Sequence, residues 1–473
     1  MKNIASLLPY ILVFVATLAH PLDFDLGWHL RFGKDFWLVG RMIYENTYST
    51  EMVGYKWFNS SWLLDVIRYP FWQLTGFWGH ALLGTLVPIL TFFTIAKYLK
   101  LSFLQKSILF PVLAWIEYPL YLHSFRAQEV SLLFLSILIA ILWKYQKTNT
   151  RLIFILIPLF FVWANIHAQF VLGIFALAIW SFVYLFLKIQ KGLEKSLLFI
   201  SFTVILSFLV TLINPYTIAI YNDSLVHSGN PAIQFILEFA KPVIFSQIWW
   251  NLVVWGILML VSIIIMIKKK KLGFYLPYII VGVPLYIISF FMGRYLWSMY
   301  ILTIPILYVL IYYIKIKNNL IANMLGATIV TLSTIYVVIK ILPAKQISNM
   351  SWGTYCSFME CSQKGTEILT SMKNPGRIYT DYNFGGWLIW NYPDIKPGVD
   401  GRMPLWVDSS GYSAFVRYVM LENNRNYVQL APFDTYFIRN ARPLNFQLEK
   451  LVKLKKFRLV FRDKFTSIYT RTK

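Results

Sequence analysis

The chain carries few side chains suited to chemistry. The densest group is Leu22-Asp23-Phe24-Asp25-Leu26-Gly27-Trp28-His29-Leu30-Arg31. Asp23 and Asp25 are two positions apart, which puts both carboxylates on one side of an extended chain but not of a helix. Asp25 and His29 are four apart and share a face if the segment is helical. A carboxylate here can take a proton from an acceptor hydroxyl as general base. It can also hold a divalent cation that neutralises phosphate. The plainer alternative is that one aspartate caps a short helix. Ionisable groups at the end of an apolar run favour function, so catalysis, and any metal ligation, is expected at Asp23, Asp25 and His29.

Two further groups could bind a substrate. In Trp163-Ala164-Asn165-Ile166-His167-Ala168-Gln169-Phe170, Asn165, His167 and Gln169 alternate, so an extended turn would aim all three one way, towards a sugar or a phosphate. The competing reading is a polar turn that satisfies helix-end backbone. Arg126 and Gln128, with Glu129 beside them, and Arg294 in another short loop are suited to forked phosphate contacts; the alternative is snorkelling at an interface. Glu117 is an acid inside an apolar run, expected to pair with one of these arginines. In the tail, Gly385-Gly386 and Asp400-Gly401-Arg402 read as turns, since Gly and Asp are default turn residues.

The elements that must position these residues follow from composition. The chain has 473 residues, 58% hydrophobic and 14% charged, with a mean hydropathy of +0.58. Soluble domains carry about 25% charge, and a chain this long cannot hide so much apolar surface in one soluble core. A cytosolic enzyme, a disordered chain and a disulfide scaffold are excluded, which leaves an integral membrane protein. Apolar runs near 4–20, 78–98, 103–122, 129–145, 151–166, 170–188, 196–213, 249–267, 273–291, 297–315 and 320–341 give eleven expected spans, each near the roughly 20 residues a bilayer requires. The first reads as a span and not a cleaved leader, because it lacks a small-residue cleavage site and ten more follow.

Net charge is +23, and its placement matters more than its size. Lys2, Lys97, Lys100, Lys106, Lys144, Lys147, Arg151, Lys188, Lys191, Lys195, Lys268 to Lys271, Lys315 and Lys317 fall on one face, whereas the short loops of the other offer Arg126 and Arg294. By the positive-inside rule the N-terminus is cytoplasmic, and the loops 21–77 and 214–248 and the tail from about 343 are extracytoplasmic. Nucleic acid is an unneeded explanation of the charge. All six histidines, His20, His29, His80, His123, His167 and His227, then lie at the outer face, which is expected to be the working face. Residues 1–342 form a helical membrane domain with a large first outer loop. Residues 343–473 form a small soluble α/β domain, with strand-like runs at 377–381, 435–439, 458–461 and 466–470 and helical stretches near 361–373, 410–423 and 444–453. Cys356 and Cys361 fall in a compartment that permits a disulfide.

The motifs carry a resemblance. Asp23-Phe-Asp25-Leu-Gly-Trp28-His29-Leu30 resembles the D-x-D-L-x-W-H-L opening of a group of bacterial polytopic proteins. Trp163-Ala-Asn165-Ile-His167 resembles their W-x-N-x-H turn, although Ala168-Gln169 stands where the group more often has glycine after the histidine. Asn214-Pro215-Tyr216, the run Gly376 to Trp390, and Val399-Asp400-Gly401-Arg402 resemble its other signatures. These proteins look like the C-type glycosyltransferases (GT-C). The resemblance implies a GT-C membrane fold, a polyprenyl-phosphate-linked sugar donor, a catalytic acid at Asp23 or Asp25, and often a divalent metal such as Mg, Mn or Zn.

The expected function is therefore transfer of a sugar from a lipid-linked donor to a glycan, lipid or protein acceptor at the outer face of the plasma membrane. The alternatives are a transporter or flippase of a lipid-linked saccharide and a non-catalytic envelope-assembly protein. Transporters place polar sites near the bilayer midplane in repeated halves; here the midplane is almost free of ionisable residues and no halves repeat.

Overall fold

A computed structural model describes residues 6–122, 124–188, 194–221, 235–236, 239–314, 316–345, 347–423, 428 and 431–472. His123 and His227 lie outside the described residues. The chain forms two compact units. One comprises Met1–His20, His80–Ser224 and Leu237–Ile347; the other comprises Pro21–Gly79, Leu225–Ile236 and Ser348–Lys473. The expected division fell at 342/343 with loop 21–77 assigned to the membrane domain, whereas residues 21–79 cluster with the tail.

The first unit is helical. Each of the eleven expected runs coincides with a helix. Among the described residues six helices are long and apolar enough to cross a membrane, and five further apolar helices have 10–17 residues. Side-chain caps set the ends of several. Ser102 and Gln105 form a reciprocal capping box before Phe103–Ile116, and Ser246 caps Gln247–Lys268, each satisfying amides that the first turn leaves open. Helix Leu296–Tyr313 is buried along most of its length. Helix Phe170–Lys188 instead presents Phe182 and Phe186 outward, 72% and 65% exposed, as lipid-facing surfaces do. Trp143, Trp163 and Trp180 are fully buried; the Trp143 ring meets Tyr278 at 5.6 Å.

The second unit is α/β. A four-stranded sheet runs in the order β1-β2-β4-β3, with β1 Ile378–Thr380, β2 Thr435–Arg439, β3 Phe457–Arg462 and β4 Thr466–Arg471. β1 lies parallel to β2, with Tyr379 opposite Tyr436, and β4 is antiparallel to both β2 and β3. β2 and β4 are buried along nearly their whole length, whereas the edge strand β3 alternates less and exposes Arg458 and Arg462, charges that blunt an open edge. Helices Gln363–Ser371, Ala414–Asn423 and Pro443–Lys453 match the expected stretches. The Gly385-Gly386 pair is not a turn. It starts helix Gly385–Asn391, because Trp387 and Leu388 drive that segment into an apolar core and burial outweighs the low helix propensity of glycine. Cys356 and Cys361 form a disulfide.

The segment that follows the first apolar helix is built into this same core. Its helix Leu26–Val39 buries Trp28 and Phe32 against Trp57, Met403 and Trp406, and Leu26 and Leu30 among Trp387 and Leu388. A long helix, Trp62–Leu99, is broken at Gly76, whose φ of +57° a side chain would resist.

Candidate functional site

Asp25 occupies the N-cap position of Leu26–Val39, yet its side chain makes no cap hydrogen bond. The capping alternative therefore does not account for it. Oδ1 of Asp23 accepts the Asp25 amide at 3.3 Å, and the Tyr355 hydroxyl donates to the Asp23 carbonyl at 2.8 Å. Asp23 is 5% exposed. The aspartate segment is thus held by the tail through backbone and side chain together.

Glycines make this approach possible. A Cβ on Gly27 would lie 1.8 Å from the Gly386 carbonyl oxygen, and one on Gly386 would lie 2.2 Å from that of Phe24. A Cβ on Gly401 would lie 1.7 Å from Oδ1 of Asp25. No side chain fits at such distances, so the two tail motifs and the first-loop motif are one packed assembly.

The turn at 400–402 is a buried ion pair. Arg402 donates to both carboxylate oxygens of Asp400, each at 2.8 Å, and to Asn46 and Ser49 at 2.9 Å. Its guanidinium lies 4.9, 5.0 and 5.3 Å from the rings of Tyr48, Trp57 and Trp406. Burial pushes the Asp400 carboxyl up, but the Arg402 charge and the Ser49 hydroxyl outweigh it and hold it below its ordinary value. Glu51 adds a second tie, paired with Arg377 at 2.7 Å and Arg417 at 3.2 Å.

His29 stacks on Trp28 at 3.6 Å, and its Nδ1 lies 2.7 Å from Oδ1 of Asp65. Asn59 donates to the other Asp65 oxygen at 2.8 Å, and Arg68 stands 3.8 Å away. Asp65, Asn59 and Arg68 escaped the sequence reading. Their signal was an acid in the first turn of a helix, which resembles any helix start. Among the described residues no three His, Cys, Asp or Glu side chains gather as a metal chelate. Of the residues expected to hold a metal, His29 turns its Nδ1 to Asp65.

The remaining expected residues belong to the first unit. Asn165 spends its amide group on the carbonyls of Phe161 and Ile213, at 2.8 and 3.0 Å. Nδ1 of His167 and the Trp163 indole both meet the Ser131 hydroxyl at 2.8 Å. Gln169 is buried at the next turn. The three do not line one extended edge, since Asn165 still belongs to helix Leu156–Ile166 and only His167 is extended. Arg126 precedes helix Ala127–Thr148 and is half-buried, as is Gln128. Arg294 lies 4.6 Å from the Phe239 ring. Glu117 takes the Tyr121 hydroxyl, one helical turn on, and not an arginine. Lys345 was also missed; it is 1% exposed and donates to the Ala16 carbonyl.

No family profile and no curated protein sequence matches the chain. Solved structures do. The archaeal oligosaccharyltransferase AglB of Archaeoglobus fulgidus, in complex with an inhibitory peptide and a dolichol-phosphate, is similar at a TM-score of 0.57 and 11% identity, over 93% of this chain and 69% of that one. ArnT of Cupriavidus metallidurans, bound to undecaprenyl phosphate, is similar at 0.54 and 12%, over 100% of this chain and 98% of that one. The apo form of the archaeal enzyme gives 0.55 at 10% identity, over 92% and 69%. At 10–12% identity the likeness is one of fold, and the chain has a GT-C-like fold.

Proposed function

We propose that the chain is a membrane glycosyltransferase that moves a sugar from a polyprenyl-phosphate-linked donor to an acceptor at the extracytoplasmic face. The observation that supports this reading is the Asp23–Asp25 segment, with Asp23 buried and Asp25 half-buried, packed through glycines against the tail, in a chain whose structural neighbours were solved with dolichol-phosphate and undecaprenyl phosphate.

One first-loop aspartate, Asp23 or Asp25, takes the proton of the acceptor nucleophile. The nucleophile forms a bond to the anomeric carbon, and the carbon–oxygen bond to the lipid phosphate breaks with its electron pair on the phosphate. Arg126 or Arg294 balances that charge. The N-terminus is cytoplasmic, the α/β unit extracytoplasmic, and all eleven apolar helices belong to the membrane domain.

The test is direct. Purified protein is incubated with synthetic polyprenyl-phosphate sugars and membrane extract, and released polyprenyl phosphate and glycosylated product are followed by mass spectrometry. The expected result is release that Asp25→Asn abolishes. Binding of the lipid-linked sugar without bond cleavage would instead support the flippase alternative.

A further inference from the structure

Helices Phe170–Lys188 and Leu272–Ile288 leave a groove between them that the proposed mechanism does not use. Its volume is about 500 Å³, and every residue that lines it is apolar. Ala178, Phe182 and Phe186 are four apart and share one face of the first helix. Leu276 and Ile280 share one face of the second. The volume is that of a small-ligand site, for which about 300–1,000 Å³ is usual.

Ring contacts show which end of the groove is charged. Tyr184 of the first helix meets Tyr145 at 5.9 Å, and its hydroxyl donates to Oδ1 of Asn149 at 3.1 Å. Lys147 lies 4.5 Å from the Trp143 ring and 6.0 Å from the Phe274 ring at the start of the second helix. The last turns of Ala127–Thr148 and Phe170–Lys188 and the first turn of Leu272–Ile288 therefore share one end. There Lys188 lies 5.6 Å from the Tyr184 ring. Lys268 to Lys271, all exposed, lead into the second helix, with Lys271 5.9 Å from the Tyr312 ring. Both walls of the groove thus end in lysine. Residues 144–151, 188–195 and 268–271 include one acid, Glu194, so this end is strongly positive.

Topology alone accounts for lysines at this end, and lipid contact alone accounts for exposed phenylalanines. Neither requires an apolar cleft with lysine at the end of both walls. That arrangement matches a molecule with an apolar chain and an anionic head. Lipid tails are as apolar as the groove, so a chain lying in it gains only packing contacts. Selectivity must come from the head, through charge.

We propose that this groove is a binding site for an anionic phospholipid of the leaflet on the lysine-rich side, with an acyl chain along Ala178, Phe182 and Ile280 and the phosphate held by Lys188 and Lys271. By the positive-inside bias that leaflet is the cytoplasmic one, away from the face of the proposed transfer, and the site does not depend on the glycosyltransferase reading.

The experiment titrates full-length protein in detergent with palmitoyl-oleoyl phosphatidylglycerol, or with phosphatidylcholine of the same chains, and follows bound lipid by native mass spectrometry. The expected result is one phosphatidylglycerol bound in preference to phosphatidylcholine. Lys188→Gln and Lys271→Gln should each weaken phosphatidylglycerol about fivefold, the contribution of one lysine near an anionic lipid, and leave phosphatidylcholine unchanged. Lys191, Lys195 and Lys268 to Lys270 preserve the topology signal in both variants. Ala178→Phe, which fills the groove and keeps every lysine, should weaken phosphatidylglycerol at least as much. Equal affinity for the two lipids overturns the proposal, since that is ordinary contact with bulk lipid. A preference that survives both glutamine substitutions overturns it as well, and this arm decides even if Ala178→Phe does not fold. A folded Ala178→Phe with unchanged affinity overturns it, because the lysines would then act without the groove. Displacement of phosphatidylglycerol by equimolar undecaprenyl phosphate would make the carrier lipid the occupant, and a dimer that excludes phosphatidylglycerol would make it a second copy; either overturns the phospholipid assignment.

Discussion

Gly401 leaves room for the carboxylate of Asp25: a methyl group at 401 would sit 1.7 Å from Oδ1. The tail turn is thus the back wall of the first-loop aspartate, and the wall is held by the Asp400–Arg402 pair. Gly401→Ala must displace either the carboxylate or the turn. Displacing a reacting group by about 1 Å costs on the order of 10²-fold in rate. The expected outcome is a loss of transfer of that size, with the melting temperature nearly unchanged. Full activity in Gly401→Ala would show that Asp25 needs no fixed position.

Asp25→Asn and Asp400→Asn should separate chemistry from structure. Removing a general base costs about 10²- to 10⁴-fold in rate, and Asp25 makes no cap bond whose loss would weaken its helix. Asp400→Asn leaves the Arg402 guanidinium, 1% exposed, without its carboxylate, at a cost of about 3–5 kcal/mol. Thermal unfolding of both variants, beside their turnover, checks this. An unfolded Asp25→Asn together with a stable Asp400→Asn would reverse the assignment.

Glu422 gives the α/β unit a pH dependence. Burial, then the nearby Asp381 charge, pushes its carboxyl up to about 7, although Arg442, the Tyr379 hydroxyl and Arg439 pull the other way. Between the ordinary carboxyl range and pH 7 the folded state keeps a proton that the unfolded chain has lost. Stability therefore falls as pH rises through that window, by at most about 1.4 kcal/mol per pH unit, and is level above it. Glu422→Gln should flatten the melting temperature of the full chain between pH 5 and 7. A slope unaffected by the substitution would place its origin elsewhere.

Orientation rests on the Lys/Arg bias alone. A reporter fused after Lys473 should be active only outside the cytoplasm. Activity inside would mean that the spans are not odd in number, and the outer working face would have to be reassigned.

The apolar runs determined the helices, because a stretch of some 20 residues that is costly to hydrate must satisfy its own backbone. All eleven coincide with helices, and the alternating tail strands fall within a residue or two of their expected bounds. Asp23, Asp25 and His29 were legible as a group because ionisable residues stand out beside an apolar run. The sequence by itself could not determine their partners. Asp65 meets His29 only because Gly33 lets two helices close, and Arg402 meets Asn46 and Ser49 from a distant part of the chain. Gly385, Gly386 and Gly401 looked like turn residues, since the local code for a turn and for a close approach is the same missing Cβ. Asn165 stood out in the sequence only through its alternating motif; that its amide meets the Ile213 carbonyl at 3.0 Å is decided by the tertiary fold. Local pattern sets which segments are helices or strands; which polar group faces a substrate and which faces a backbone is decided only when distant segments pack.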